Sequence, residues 1–328
     1  MGQTVEELVA GLERGERRAL ARLLTLAEDG APERLREVVA RLHPHTGRAR
    51  VIGITGSPGV GKSTLTNAIA AALRAQDRSV AILAVDPSSP FSGGALLGDR
   101  VRMQSHAADP HVFIRSMASR GHLGGLSFAT PQAVLVLDAA GFDDVIVETV
   151  GVGQSEVEIA ATADTTVVAL APGMGDGIQA AKAGILEVAD VFVINKADAS
   201  GAGKLESELR GMLEMGHALA DADTPAGWWP PIVRTVAVRG EGLDDVLDAF
   251  GTHDAWLASS GRGEQRRRER ALHLVREIAL EQVRLRFARL DGGDDPLLEE
   301  LADRVATRQR DPYAAADDLL EALDGGEA

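Results

Sequence analysis

From Arg50 onward the chain alternates short, almost uninterrupted apolar runs with stretches of helical length whose apolar residues recur every three or four positions. The runs are Val51–Thr55, Ser79–Val85, Asp144–Glu148, Thr165–Leu170, Val191–Asn195 and Ile232–Val236. A run without polar alternation reads as a strand buried on both faces, and such strands separated by helices read as a parallel sheet covered on both sides. The pattern therefore predicts an α/β fold, a doubly wound and mostly parallel sheet, over residues 49–260. Ahead of it, Thr4 followed by Glu7 has the spacing of a capping box, with Val5, Leu8, Val9 and Leu12 behind it on one helical face. Pro32 suits a first helical turn and precedes Leu35, Val38, Val39 and Leu42, so residues 1–48 are expected to form a helical extension ending in the turn-like segment His43–Gly47. After the sheet, Gly240–Gly242 opens a helix through Leu243, Val246, Leu247 and Phe250, and Gly261–Gly263 marks a boundary. Residues 261–328 then read as a helical arm, an Arg-dense helix with Leu274, Ile278 and Leu285 in a seam followed by an acidic segment. Such an arm buries little by itself and is expected to pack on the body or on a second subunit.

Composition narrows the classes. With 328 residues, 45% hydrophobic and 25% charged, the chain is ordinary globular material. Its net charge of −15 opposes phosphate backbones and anionic membranes, so neither nucleic acid nor membrane is expected as a partner. There is no cysteine, which excludes a disulfide framework, a thiolate metal site and a cysteine nucleophile. No stretch approaches the ~18 apolar residues of a bilayer span, and Glu6, Glu7, Glu13, Glu16, Glu28 and Asp29 speak against a leader peptide, so a cytoplasmic protein is expected. Only four lysines, Lys62, Lys182, Lys196 and Lys204, stand against 30 arginines, and only two asparagines occur, Asn67 and Asn195.

Two of those lysines sit in motifs. Gly56-Ser57-Pro58-Gly59-Val60-Gly61-Lys62-Ser63 follows the first predicted strand, opens a helix and satisfies GxxxxGK[ST]. Glycines let backbone N–H groups turn inward around phosphates, the helix N-terminus adds positive potential, Lys62 reaches the β- and γ-phosphates, and the Ser63 hydroxyl suits Mg²⁺. Thr64 completes the binding segment. Asn195-Lys196-Ala197-Asp198 ends a later strand and satisfies NKxD. A carboxylate at Asp198 accepts from guanine N1–H and the exocyclic amine, a donor pair adenine lacks, while Asn195 and the Lys196 stem shape and cover the ring. The expected nucleotide is GTP or GDP.

Between the motifs, Glu148-Thr-Val-Gly151 ends a strand where G proteins carry DxxG, which places a carboxylate toward Mg²⁺ and the Gly151 N–H toward a γ-phosphate. Val152 follows, where Ras-type proteins place the water-orienting Gln, and Gln154 stands two positions further on, so unassisted hydrolysis is expected to be slow. Asp86-Pro-Ser-Ser-Pro90 follows the second predicted strand, with Gly98-Asp99-Arg100 beyond a glycine-containing stretch. Asp86 and Asp99 are candidates for metal or water contacts; the competing reading for each is the cap of a plain βα turn.

These segments, together with Arg115-Ser-Met-Ala-Ser-Arg-Gly and the stretch from Pro172 through Gly-Met-Gly-Asp-Gly-Ile-Gln-Ala-Ala-Lys-Ala-Gly-Ile, closely resemble the MeaB/ArgK family of GTPases associated with adenosylcobalamin-dependent methylmalonyl-CoA mutase. The resemblance is dense from about 50 to 240 and extends to the ends in layout only. It implies a SIMIBI-class G domain, a homodimer built partly by the C-terminal arm, and a GTP-gated chaperone that protects the mutase and gates loading of its cofactor. It also implies that Asp86, Asp99 and Glu148 face Mg²⁺, that Gln179–Gly184 form a third switch facing the partner, and that Thr235–Gly242 is the base-flanking loop, with Val236, Ala237 and Val238 beside the ring. Val238 and Arg239 stand where many G proteins carry Lys or Leu. Lys182 lies outside every phosphate or base motif, in a glycine-flanked stretch of a chain that otherwise chooses Arg, and is expected to couple partner binding to hydrolysis. Three other readings compete: a nickel-type metal-insertion GTPase, which wants a Cys or His cluster; an ATPase or kinase serving amino-acid transport, against which NKxD counts; and a GTP-sensing structural chaperone with negligible turnover.

Overall fold

A computed structural model of the chain describes residues 3–87, 109–119, 129–149, 155–173, 186–218, 227–290 and 296–325. It forms two compact units, residues 1–270 and residues 271–328.

The first unit opens with helices α1 (Val5–Glu13), α2 (Arg17–Asp29) and α3 (Pro32–Leu42). Thr4 and Glu7 cap α1 reciprocally, the Glu7 N–H donating to Thr4 Oγ1 at 3.2 Å and the Thr4 N–H to Glu7 Oε2 at 3.0 Å. Helix α2 is separated from α1 by Gly15 at φ +75° and buries Leu20, Leu23 and Leu24. All three helices share one apolar cluster with the sheet, so they are part of the body's core.

The sheet strands are β1 (Arg50–Thr55), β2 (Val80–Pro87), β3 (Val112–Ser119), β4 (Asp144–Thr149), β5 (Thr165–Leu170), β6 (Val191–Ile194) and β7 (Ile232–Arg234). They form one sheet of seven strands in the order β3-β2-β4-β1-β5-β6-β7, every neighbouring pair parallel. The doubly wound α/β expectation holds. Strand β3 is an addition to the runs read from sequence. Among the described residues it is an edge strand paired on one side only, and Ile114, Arg115 and Ser116 are half-buried, so its polarity is mixed and no continuous apolar run announces it. Arg17 on α2 donates to the carbonyls of Pro110 and Val112, at 3.3 and 2.8 Å, and Arg115 pairs with Glu28 at 2.7 Å, so the N-terminal helices cover this edge.

Helices α4 (Lys62–Ala75), α5 (Ala129–Ala139), α6 (Ser155–Thr162), the single turn α7 (Leu186–Val188), α8 (Ala202–Ala218) and α9 (Leu243–Ser260) complete the two layers. On one face Leu65, Ile69 and Leu73 of α4 and Val246 and Phe250 of α9 pack against Ile52, Ile54, Ile82 and Val193. On the other, Ala133 and Leu137 of α5 and Ile159 of α6 meet Leu83, Val145 and Val147, while Leu205 and Leu209 of α8 meet Val168 and Phe192.

Helix α10 (Arg262–Leu290) begins in the first unit. Its first turns are tied to the N-terminal edge of the sheet: Arg270 pairs with Asp164 at 2.5 Å, and Arg266 grips Asp190, just ahead of β6, from NH1 at 3.0 Å and NH2 at 2.7 Å. Asp190 is buried, accepts the Thr166 N–H at 2.9 Å and lies 3.3 Å from His253 Nε2, while Trp228 Nε1 donates to its carbonyl at 2.7 Å. The His253 ring, fully buried, meets Thr165 Oγ1 at 2.9 Å and stacks near Trp256 with centroids 5.8 Å apart. In the second unit, α11 (Pro296–Ala306) and α12 (Pro312–Gly325) form a pair that buries Leu301 and Ala315, with Arg310 bound to Asp318 at 2.6 Å. Among the described residues, no helix is long and apolar enough to cross a membrane.

Candidate nucleotide site

The C-terminal ends of β1, β4 and β6 meet at one edge of the sheet, and the two motif loops leave from there. Strand β1 passes into Gly56–Gly61, where Gly56, Gly59 and Gly61 take φ of +141°, +82° and +93°, and α4 starts at Lys62. Only glycine serves at two of these positions for a second reason: a Cβ on Gly56 would stand 2.2 Å from the Ala169 carbonyl oxygen, and one on Gly61 would stand 2.7 Å from Asn195 Nδ2. Pro58 and Gly59 are exposed, Ser57, Ser63 and Thr64 are half-buried, and Val60 is packed into the core. The loop thus offers main chain and little else at its rim.

Lys62 is buried and its ammonium donates to the carbonyls of Gly56 at 2.7 Å and Ser57 at 3.2 Å, so the cation is held inside the loop's own curve. The Ser63 hydroxyl donates to Glu148 Oε1 at 2.6 Å, across 85 positions of sequence. Glu148 sits at the end of β4 and is almost fully buried, and behind it Thr149 and Thr55 join hydroxyls at 3.0 Å. A hydroxyl and a carboxylate side by side at the N-terminus of a helix that follows a glycine loop are hard oxygen donors of the kind that suit Mg²⁺, so this pair fits the expected ion.

The second loop is fastened to the first. Asn195 donates from Nδ2 to the Val60 carbonyl at 3.0 Å and accepts at Oδ1 from the Ala237 N–H at 3.1 Å and Thr235 Oγ1 at 3.3 Å. Its part in the structure is to join three segments. Lys196, at φ +55°, lays its stem along the loop and donates to the Gly59 carbonyl at 2.8 Å. Asp198 is about half exposed and accepts from Arg239 NH1 at 3.1 Å, a contact the motif reading leaves out. The only signal for it in sequence is that Arg239 is the one long cation in Val236–Gly240. Val236 and Ala237 are buried, while Val238 is exposed.

Asp99, Gly151 and Lys182, expected in this site from the sequence, and Gln179–Gly184, expected as a third switch facing the partner, all lie outside the described residues. Asp86 has its backbone in β2, next to β4 at this edge of the sheet. The structure therefore brings together Gly56–Thr64, Glu148, Asn195–Asp198 and Val236–Val238.

A parallel α/β sheet whose central strand runs through a glycine loop into a helix carrying Lys62 and Ser63, with an Asn-Lys-x-Asp corner beside it, defines the P-loop GTPase class. The family described as "Methylmalonyl Co-A mutase-associated GTPase MeaB" matches residues 20–290, and the chain belongs to it. A Pyrococcus abyssi protein bearing the name GTPase is 46% identical over 98% of both chains. The mouse protein "Methylmalonic aciduria type A homolog, mitochondrial" is 32% identical over 97% of this chain and 79% of its own. Among solved structures, that of a "LAO/AO transport system kinase" is 28% identical, covers 99% of each chain and superposes with a TM-score of 0.67.

Proposed function

We propose that this protein binds and hydrolyses GTP with Mg²⁺, and that in the cytoplasm it serves as a chaperone for an adenosylcobalamin-dependent acyl-CoA mutase, protecting it and gating cofactor loading. The observation that carries the nucleotide part is the hydrogen bond between Ser63 and Glu148 beneath the glycine loop, in a chain whose Asn195 ties that loop to the base corner. The partner is supported by the family's description.

In this reading the N–H groups of Gly56–Thr64 bind the phosphates, and Lys62 leaves its carbonyl partners to meet the β- and γ-oxygens. Ser63 and Glu148, joined by Asp86 and Asp99, hold Mg²⁺, which when bound offsets phosphate charge. Asp198 reads guanine, Lys196 covers it, and Val236–Val238 flank it. Gly151, Asp99 and Lys182 enter on sequence alone.

Because Val152 stands directly after Gly151, turnover of the isolated protein is expected at about 10⁻³ to 10⁻² s⁻¹, in the range of unassisted G proteins. Phosphate release from GTP, measured with and without the holo-mutase and with excess ATP, tests the reading. Acceleration by the mutase and indifference to ATP are expected. Lys182→Ala should leave GTP affinity within about threefold yet lose roughly tenfold of the stimulated rate, about 1.4 kcal/mol of barrier. Fast turnover indifferent to any mutase would mark a stand-alone hydrolase, and competition by ATP would favour the transport-kinase reading.

We also propose a homodimer through the arm. On α10 the seam expected from sequence, Leu274, Ile278 and Leu285, is half-buried, whereas Leu272, Val275, Leu280 and Val283 lie on the other side of the helix and are exposed, Val275 by 66%. An apolar stripe exposed in this way among the described residues is where a second copy would bury surface. Val275→Glu in the full chain is expected to halve the mass seen by light scattering at micromolar concentration. A wild-type chain that is already monomeric there would end the proposal.

A further inference from the structure

The Asp198 carboxylate already has a partner of the same hydrogen-bonding sense as guanine. Arg239 reaches it from the base-flanking loop with NH1 at 3.1 Å from Oδ2, while its Nε and NH2 donate to Glu241 Oε1 and Oε2 at 2.7 and 3.3 Å. We propose that Arg239 is an affinity-tuning residue that competes with guanine for Asp198, so that the nucleotide must displace a guanidinium N–H before the base is read. This rests on the assignment of Asp198 as the guanine reader.

The geometry favours competition over support. Guanine offers N1–H and an exocyclic amine, and a planar carboxylate receives both only if both oxygens face the ring edge. A guanidinium presents N–H donors in one plane to the same acceptor. The loop that carries Arg239 is fixed. Val236 and Glu241 form an antiparallel bridge, the Arg239 N–H donates to the Val236 carbonyl at 2.8 Å, and the Ala237 N–H is held by Asn195. With the loop backbone held by these bonds, Arg239 can leave Asp198 by side-chain rotation alone. It spans the gap between the loop and the Asp198 corner, the two walls between which the ring is proposed to lie. Glu241 makes displacement easy, because its fork keeps the guanidinium satisfied after the third nitrogen lets go. Both Arg239 and Asp198 are about half exposed, at 49% and 45%, so water can take up what each loses. The Arg239 charge is held in its protonated form, chiefly by the hydrogen bond to Glu241 and then by Asp198.

An exposed pair of this kind sets a modest effect. GDP titrated into Arg239→Ala is expected to bind roughly two- to fivefold more tightly than to wild type, the affinity range of a surface ion pair. The gain should shrink as NaCl is raised, because screening weakens the competitor and leaves the neutral variant unchanged in this respect. Glu241→Gln, which releases the guanidinium toward Asp198, should weaken GDP binding in the wild-type background and have no effect in Arg239→Ala, closing a double-mutant cycle. Equal or weaker GDP binding by Arg239→Ala would overturn the proposal and make Arg239 a support of the carboxylate. The outcome is separable from the guanine assignment by Asp198→Asn. If that variant keeps GDP affinity, the base reading itself falls. If it loses GDP while Arg239→Ala gains nothing, only the competition falls.

Discussion

Asp198→Asn is expected to lower affinity for GDP by about 100-fold and to raise affinity for the xanthine nucleotide. The carboxylate receives two guanine donors, and hydrogen bonds to a charged acceptor are worth about 1.5–3 kcal/mol each. Replacing one oxygen by an amide nitrogen sets donor against donor at the exocyclic amine, so the loss of about 3 kcal/mol corresponds to roughly two decades in the dissociation constant. Xanthine carries an oxygen where guanine carries the amine, and an amide matches it. The half-exposed position of Asp198 keeps the change from disturbing the fold, since the frame around it is carried by Asn195, Thr235 and Ala237. Calorimetric titration with GDP and XDP reads both shifts, and an unaltered GDP affinity would remove Asp198 from the base site.

The second large effect lies at the far end of the sheet. Asp190→Ala is expected to destabilise the body by about 3 kcal/mol, measured as the shift in unfolding free energy by denaturant titration. The Asp190 side chain is 4% exposed and answers both nitrogens of the Arg266 fork, the Thr166 N–H and the His253 edge, so its removal strands a guanidinium, an amide and a buried imidazole together. The pH dependence follows from the same contacts. Burial by itself would raise the Asp190 pKa, but the adjacent His253 ring and the Arg266 guanidinium outweigh it and hold the group below the ordinary aspartate value of 3.8. A carboxylate with a depressed native pKa contributes stability that is complete above 3.8 and is lost as pH falls through the native value. The gap between wild type and variant should therefore stay wide at neutral pH and close in acid. A gap under about 1 kcal/mol at neutral pH would reduce the cluster to an ordinary surface pair. The same contacts put the first turns of α10 in the body, so an arm removed at Ser259 would take Arg266 and Arg270 with it.

What the sequence determines is what neighbours along the chain decide. Apolar runs of strand length, the reciprocal cap of Thr4 and Glu7, Pro32 in a first turn and the glycines of Gly56–Gly61 act over a few residues, where backbone geometry and the pleat or helix period leave few alternatives. The phosphate loop is therefore legible as a string, because strand, loop and helix are contiguous. The tertiary structure decides which distant groups share a charge or a hydrogen bond. Parallel strands are joined by crossovers, so residues that meet at one sheet edge lie far apart in sequence: Ser63 with Glu148 across 85 positions, Asn195 with Val60 across 135, Arg239 with Asp198 across 41. No periodicity encodes those pairs. The edge strand β3 escapes for a related reason, since a strand covered by Arg17 and by α2 needs no continuous apolar run of its own. Asn195 shows the division most clearly: its motif places it at a strand end, but only packing reveals that its amide joins the phosphate loop to the base loop, because hydrogen-bond partners are chosen by proximity in the fold.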